Sequence, residues 1–377
     1  MTIIPFDYII NGMKSEKTRE KIYICHTYYH VYIAAVKELA LGMDSVGHAD
    51  IILSTMSNDF ETLPERLNKS GVFDNIYMYD EKEDVTSKEV MKYHQDRGNI
   101  VLNLLQRIKY TRLLGQLQEA YIPTDLSQYK EVYVFCDSDP IGYYLNYKKI
   151  PYHAIEDGLN SGLLDDQARL ANKGAFPLKC FMAKLGLIFI ESGYSRYCID
   201  YEVNDISVNH KPPKNIIEVP REELNKKLSS EAHRKLVDIF LKDADRVAKG
   251  LIGDNSSTEK KNNIMILTEP LCELDVRKRL FGDIIDMYSS KGRIIIKPHP
   301  RDVLDYEKEF PSVYVIKDRF PMEVLGDIEG FKVDKLVSVI TQIENVYFAE
   351  EIVYLGLDFL DKYENPSIHR KTELLDK

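Results

Sequence analysis

The sequence predicts an α/β protein with two doubly wound parallel-sheet units and a cleft between them, on three observations. Short apolar runs alternate with helix-patterned stretches in two successive series. A polar segment separates the series: helix-prone Pro220 to Leu251, then the Ser/Asn/Lys-rich run from Gly253 to Asn263. The chain of 377 residues also exceeds what one hydrophobic core comfortably serves. The expected division is 1–215, a helical and polar connection over 216–262, and 263–377.

The first series begins with the strand Lys21 to Cys25 and the helix Val31 to Leu41. Strand Ala49 to Leu53, helix Phe60 to Lys69 and strand Asn75 to Tyr79 follow. The helical stretch Ser87 to Ala120 leads to strand Glu131 to Cys136, helix Pro140 to Tyr147 and strand Tyr152 to Ile155. The second series opens with strand Asn263 to Leu267, helix Val276 to Ser289, and strands Arg293 to Lys297 and Val313 to Ile316. Helix Met322 to Leu325, strand Lys335 to Ser338, helix Ile343 to Ala349 and strand Ile352 to Leu355 close it. Strands separated by helices run parallel and bind ligands beyond their carboxyl ends, so the informative residues are those just after strands.

Composition narrows the function. The hydrophobic and charged fractions, 44% and 29%, are those of a globular protein, and the net charge of −10 argues against a nucleic-acid partner. Cys25, Cys136, Cys180, Cys198 and Cys272 stand singly without metal-like spacing, as reduced thiols of a cytoplasmic protein do. The stretch Met1 to Glu20 does not read as a signal peptide. The most apolar segment, Cys180 to Ile190, is too short to span a bilayer and reads as a buried helix rather than a membrane-surface contact.

Five motifs follow strands or open helices. Lys297-Pro298-His299-Pro300-Arg301-Asp302 holds a histidine between two prolines, a rigid mount for a group that donates a hydrogen bond or a proton to a leaving phosphate. The same residues can also be a turn with a capping histidine. Glu156-Asp157-Gly158 places two carboxylates at a strand end, with a glycine that permits close backbone approach, a candidate general-base site. Ser338-Val-Ile-Thr341 reads as an anion site at a helix N-terminus or as a plain N-cap. Phe320-Pro-Met-Glu323 starts another helix, where Glu323 can accept ribose hydroxyls or favour the helix dipole. Asp137-Ser138-Asp139 matches the DxD of metal-dependent sugar transferases, against which stands an N-cap before Pro140. Walker A, GxGxxG and GxSxG motifs are absent.

An acidic-acidic-Gly motif, a His-Pro motif and a downstream Ser/Thr motif, in that order, resemble the signatures of bacterial sialyltransferases. The opening Cys25-His26-Thr27-Tyr28-Tyr29-His30 and the run Leu267-Thr268-Glu269-Pro270-Leu271 are similar to glycosyltransferase family 52, from about Ile22 to Leu355. That resemblance implies a GT-B-like fold of two Rossmann-like domains. It also implies a CMP-sialic acid donor, a glycan acceptor of capsule or lipooligosaccharide, and inverting transfer with no metal or other cofactor.

Under it, His299 assists departure of CMP, Ser338 and Thr341 hold the phosphate, Glu323 the ribose, and Lys297, Pro298 and Pro300 the nucleotide. The base is Asp157 with Glu156 beside it, or else Asp275 of Glu273-Leu274-Asp275. A UDP-sugar transferase, a CDP-alditol polyol-phosphate transferase and a non-catalytic glycan binder stay open, as do a homodimer and peripheral contact with the inner membrane face.

Overall fold

The computed structural model describes residues 19–81, 87–93, 95–138, 140–159, 161, 167–172, 174–209, 212–242, 262–341, 343 and 346–369. Its first sheet has seven strands in the order β3-β2-β1-β4-β5-β6-β7. These are β1 Arg19–Cys25, β2 Ala49–Ser54, β3 Ile76–Tyr79, β4 Tyr129–Phe135, β5 Tyr152–Ile155, β6 Cys198–Val203 and β7 Ile216–Glu218. All pairings are parallel. The second sheet, also parallel, runs β10-β9-β8-β11-β12. Its strands are β8 Asn263–Leu267, β9 Arg293–Lys297, β10 Tyr314–Val315, β11 Val333–Ser338 and β12 Ala349–Tyr354. In each sheet the strand order reverses beside the first strand of its series, and the segments leaving β1 and β8 open the crevices where ligands of such sheets bind.

Helix α1, Tyr28–Leu39, follows β1 after a single turn because Thr27 caps it, its side chain accepting from the His30 amide at 3.2 Å. Its residues Val31, Ile33, Ala34, Ala35, Val36 and Leu39 are all buried. Behind α1 lie α2, Leu63–Ser70, and α9, Ser230–Phe240, where Phe240 meets Tyr32 with ring centroids 5.9 Å apart. Full burial of such an aromatic contributes about 1.5–3 kcal/mol. Helix α9 joins the halves. Its Leu236, Ile239 and Phe240 share one apolar cluster with Tyr32, Leu267, Phe320 and Val324, and His233 Nδ1 lies 2.6 Å from Asp327 Oδ1. Gly142 lets α5, Pro140–Lys148, lie against the loop after β4, since a Cβ there would be 1.9 Å from the Asp137 carbonyl oxygen.

The structure departs from expectation in three places. Strands β6 and β7 extend the first sheet, so this unit runs past residue 215 to at least Glu218. Residues 343 and 346–348 form no helix, and Ala349 already belongs to β12. The helix expected within Cys180 to Ile190 is α7, Phe176–Lys184, and it is only half buried: Met182 and Ala183 face the core while Leu178, Phe181 and Leu185 face outward. Residues 253–261 of the polar run lie outside the described residues.

Candidate active site

The acidic pair after β5 is split between two environments. Glu156 is buried: it accepts from the Asn204 amide at 2.8 Å and lies 3.7 Å from Arg221, which pairs with Glu202 of β6, itself held by Lys37. That carboxylate therefore ties the strand ends together. Asp157 points the other way, with its side chain 61% exposed. Its Oδ1 accepts from His30 Nε2 at 3.0 Å, and its carbonyl oxygen lies 2.7 Å from the same nitrogen. A Cβ on Gly158 would meet nothing, so close backbone approach is not what that position supplies.

The tautomer of His30 follows from its partners. The His26 amide donates to His30 Nδ1 at 3.0 Å, so Nδ1 accepts and Nε2 carries the proton toward Asp157. Burial pushes the His30 pKa below its usual value, with Asp157 only partly offsetting it. The ring, stacked on Phe135 at 4.8 Å, is a neutral hydrogen-bond donor fixed in place. Asp157 in turn is held below the ordinary carboxylate range, chiefly by the His30 hydrogen bond against some burial, with the charge of Arg301 adding to it. Arg301 belongs to the second half, so the charge of the loop after β9 reaches Asp157. His26 is anchored in turn: its Nε2 lies 2.8 Å from Glu81, which also accepts from Ser54 at 2.7 Å and the Ile141 amide at 2.8 Å.

The loop after β9 is pinned from beneath. Asp302, its side chain fully buried, accepts from Thr268 at 2.6 Å, Arg277 at 2.7 Å and Tyr306 at 2.8 Å. Thr268 Oγ1 also accepts from the His299 amide at 3.1 Å. Hydrogen bonds to a charged group stabilise by about 1.5–3 kcal/mol each, enough to hold the His299 backbone in one geometry. The Arg301 amide donates to His299 Nδ1 at 3.1 Å, which again leaves the proton on Nε2. Burial, then Arg301 and Lys297, lower the His299 pKa to about 4. At neutral pH this imidazole is uncharged and offers a hydrogen bond rather than a full proton.

His299 and Pro298 line a cleft of about 260 Å³ whose other wall is Val315, Ile316 and Lys317-Asp318-Arg319. Lys297 is buried, its Nζ 4.1 Å from the centroid of Phe320 and 2.9 Å from the Pro298 carbonyl. Burial drops its pKa to about 7 against the pull of Asp318 and Glu323. Glu323, in the 3₁₀ turn Met322–Asp327, is pushed up to about 7 by burial and by Asp327.

The Ser338–Thr341 segment differs from the expected anion site. No helix follows it among the described residues, and a protein carboxylate already takes its amides: Glu269, buried after β8, accepts from the amides of Ile340, at 3.0 Å, and Thr341. Ser338 Oγ donates to the Thr341 carbonyl at 2.8 Å. Burial raises the Glu269 pKa, opposed by those hydrogen bonds. Neither His30 nor Glu269 had been assigned a role from the sequence; His30 Nε2 meets Asp157 127 positions away, which no local pattern shows.

Glu273 and Asp275 lie exposed at the start of the helix Leu274–Ser289, outside the hydrogen-bonded group around His30. Asp137 turns inward, accepting from the Ser192 amide at 2.8 Å and Tyr152 at 2.7 Å, with its pKa raised to about 6 by burial. Asp139, the other carboxylate of the DxD, lies outside the described residues.

Two doubly wound units that present a carboxylate after a strand of one half and a histidine loop after a strand of the other define a GT-B-type glycosyltransferase architecture. The chain belongs to glycosyltransferase family 52, whose sequence model matches residues 66–342. Its fold is similar to that of the α/β-galactoside α-2,3-sialyltransferase of the marine bacterium Photobacterium phosphoreum. That likeness has a TM-score of 0.50 and 13% identity over 89% of this chain and 90% of the other. A sialyltransferase of Photobacterium damsela gives 0.48 and 13%, covering 89% and 74%. An uncharacterized protein of Haemophilus influenzae is 32% identical over 97 residues, 24% of this chain and 31% of that protein.

Proposed function

We propose that the protein transfers sialic acid from CMP-sialic acid to a galactose-like terminal sugar of a bacterial surface glycan, capsule or lipooligosaccharide, with inversion and without a metal. Family membership supports glycosyl transfer, and the order of the three motifs supports the donor. One observation carries the reading: Asp157, ionised and aimed by a neutral buried histidine of its own half, also feels the charge of Arg301 in the His299 loop of the other half.

In this reading the acceptor hydroxyl attacks the anomeric carbon, and its proton passes to Asp157 as the new C–O bond forms. The bond to the phosphate oxygen breaks with its electron pair staying on CMP. A carboxylate this acidic is a weak base for an alcohol, so proton transfer runs together with bond formation rather than before it. His299 Nε2–H stabilises the charge developing on the leaving phosphate, aided by Lys297, whose charge an approaching anion restores. Pro298 and Pro300 shape the nucleotide wall, and Glu323 accepts ribose hydroxyls. Because Glu269 holds the amides of 340 and 341, the phosphate is served by side chains.

Thermal unfolding with CMP, CDP, UMP and UDP tests the donor, since a ligand that binds only the native state raises its stability by mass action. CMP gives the largest shift under this proposal. A larger shift with UDP assigns the cleft to a UDP-sugar, and with CDP to an alditol donor.

A further inference from the structure

The cations around the His299 loop differ in what occupies them. Lys317 lies 2.7 Å from Glu307, and Arg319 lies 3.5 Å from Asp59 and 3.6 Å from Glu61 of the first half. Lys297 is buried beneath the loop against Phe320. Arg301 is exposed, and among the described residues its guanidinium makes no ion pair and no hydrogen bond. The carboxylate next to it in the chain, Asp302, is turned under the loop and taken by Thr268, Arg277 and Tyr306. Arg301 is also absent from the wall of the nucleotide cleft that His299 and Pro298 line. Its charge is felt both at His299 and at Asp157 of the other half.

The reaction itself says what an uncommitted cation does there. Inversion puts the attacking oxygen and the leaving phosphate on opposite faces of one anomeric carbon, so the other groups on that carbon lie between Asp157 and His299. In sialic acid one of those groups is a carboxylate. It adds a third negative charge to a space that already holds Asp157 and the phosphate. Left unpaired in a partly desolvated cleft, that charge opposes binding. A guanidinium answers it with two parallel N–H donors spaced like the carboxylate oxygens.

We propose that Arg301 binds the carboxylate on the donor's anomeric carbon and so selects acid sugars over neutral ones. The assignment rests on the transferase reading and its CMP-sialic acid donor. Its backbone is already fixed: the Arg301 amide donates to His299 Nδ1 at 3.1 Å, and buried Asp302 clamps the next residue. That amide meets the ring on the side away from the Nε2 proton that serves the phosphate. One rigid loop thus offers His299 to the leaving group and Arg301 to the sugar.

Calorimetric titration of the full chain, without acceptor, tests the assignment. The probes are CMP, the hydrolysis-resistant ring-fluorinated analogue of CMP-sialic acid, and the methyl ester of that analogue's carboxylate. Binding is read rather than turnover, because the charge of Arg301 also acts on Asp157. The wild-type protein binds the acid about tenfold more tightly than the ester. Arg301→Gln loses about that factor for the acid, while CMP and the ester stay within about twofold of wild type. Arg301→Lys loses about threefold for the acid, since the charge stays and the fork is lost. Both variants keep the wild-type melting temperature, because the side chain supports no core. Equal wild-type affinity for acid and ester, or wild-type affinity of Arg301→Gln for the acid, overturns the proposal. So does an equal loss of CMP and acid, which gives Arg301 to the phosphate. A wild-type protein that binds none of the three probes would refute the donor reading, and the assignment with it. Tight CMP binding beside an unaffected Arg301→Gln removes the assignment alone.

Discussion

His30 and His299 sit in opposite halves yet are built alike. Each accepts a backbone amide hydrogen at Nδ1, from His26 and Arg301 respectively, and so presents its proton on Nε2. Each is kept neutral by burial. They differ in what Nε2 faces. That of His30 is spent inside the protein on Asp157, whereas His299 lines the cleft with its loop clamped from below by Thr268 and Asp302. The same tautomer thus aims a carboxylate in one half and, under the proposed function, meets a phosphate in the other. The carboxylates mirror this division: Asp157 faces solvent, while Glu156 one residue earlier is locked among Arg221, Glu202 and Lys37.

If the histidines divide the work in this way, their removal must have different signatures. His299→Ala loses the donor to the leaving group, and kcat falls roughly 10²–10⁴-fold while the fold survives. A folded variant with near wild-type turnover would reduce His299 to a turn residue. His30→Ala has a smaller effect, about 10–100-fold in kcat, because the base is still present but no longer aimed. It also carries a mark that a structural role lacks. The His30 hydrogen bond is the largest cause of the low Asp157 pKa, so without it the acidic limb of kcat/KM moves to higher pH. An unmoved limb breaks the link between His30 and the base.

The smallest effect separates the buried cation from the catalytic groups. Lys297 titrates near 7 in the folded protein and near 10.5 when unfolded. Between those values the unfolded chain binds more protons, so stability rises with pH; the cost of the buried charge is complete below 7 and gone above 10.5. Lys297→Met removes this dependence. Its stability advantage over wild type, read from denaturant titrations, shrinks between pH 7 and 10.5 by an amount bounded at about 5 kcal/mol. A constant difference across that window contradicts a neutralised lysine.

The parallel runs of the fold were legible because strands such as Ile22–Cys25 and Ile294–Ile296 are buried and apolar throughout. Strand β6 was not. Its Asp200 and Glu202 look like solvent residues, and Glu202 is buried only because Lys37 and Arg221, 165 and 19 positions away, neutralise it. The helix expected after Ser338 failed for a related reason: the amides that would open it donate instead to the carboxylate of Glu269, 71 positions before Ile340. The site divides similarly. His299 and Asp157 announce themselves by position after strands, while the residues that orient them, His30, Thr268 and Asp302, act through contacts made only in the folded chain.

The central claim is that the base belongs to the first half, aimed by His30 across from the nucleotide cleft. Asp157→Asn and Asp275→Asn test it most directly, each nearly isosteric and unable to take the acceptor proton. The account predicts that Asp157→Asn loses roughly 10²–10⁴ in kcat with nucleotide binding unchanged, and that Asp275→Asn stays within a few-fold of wild type. A collapse of kcat in Asp275→Asn, with Asp157→Asn close to wild type, would place the base in the second half and contradict it.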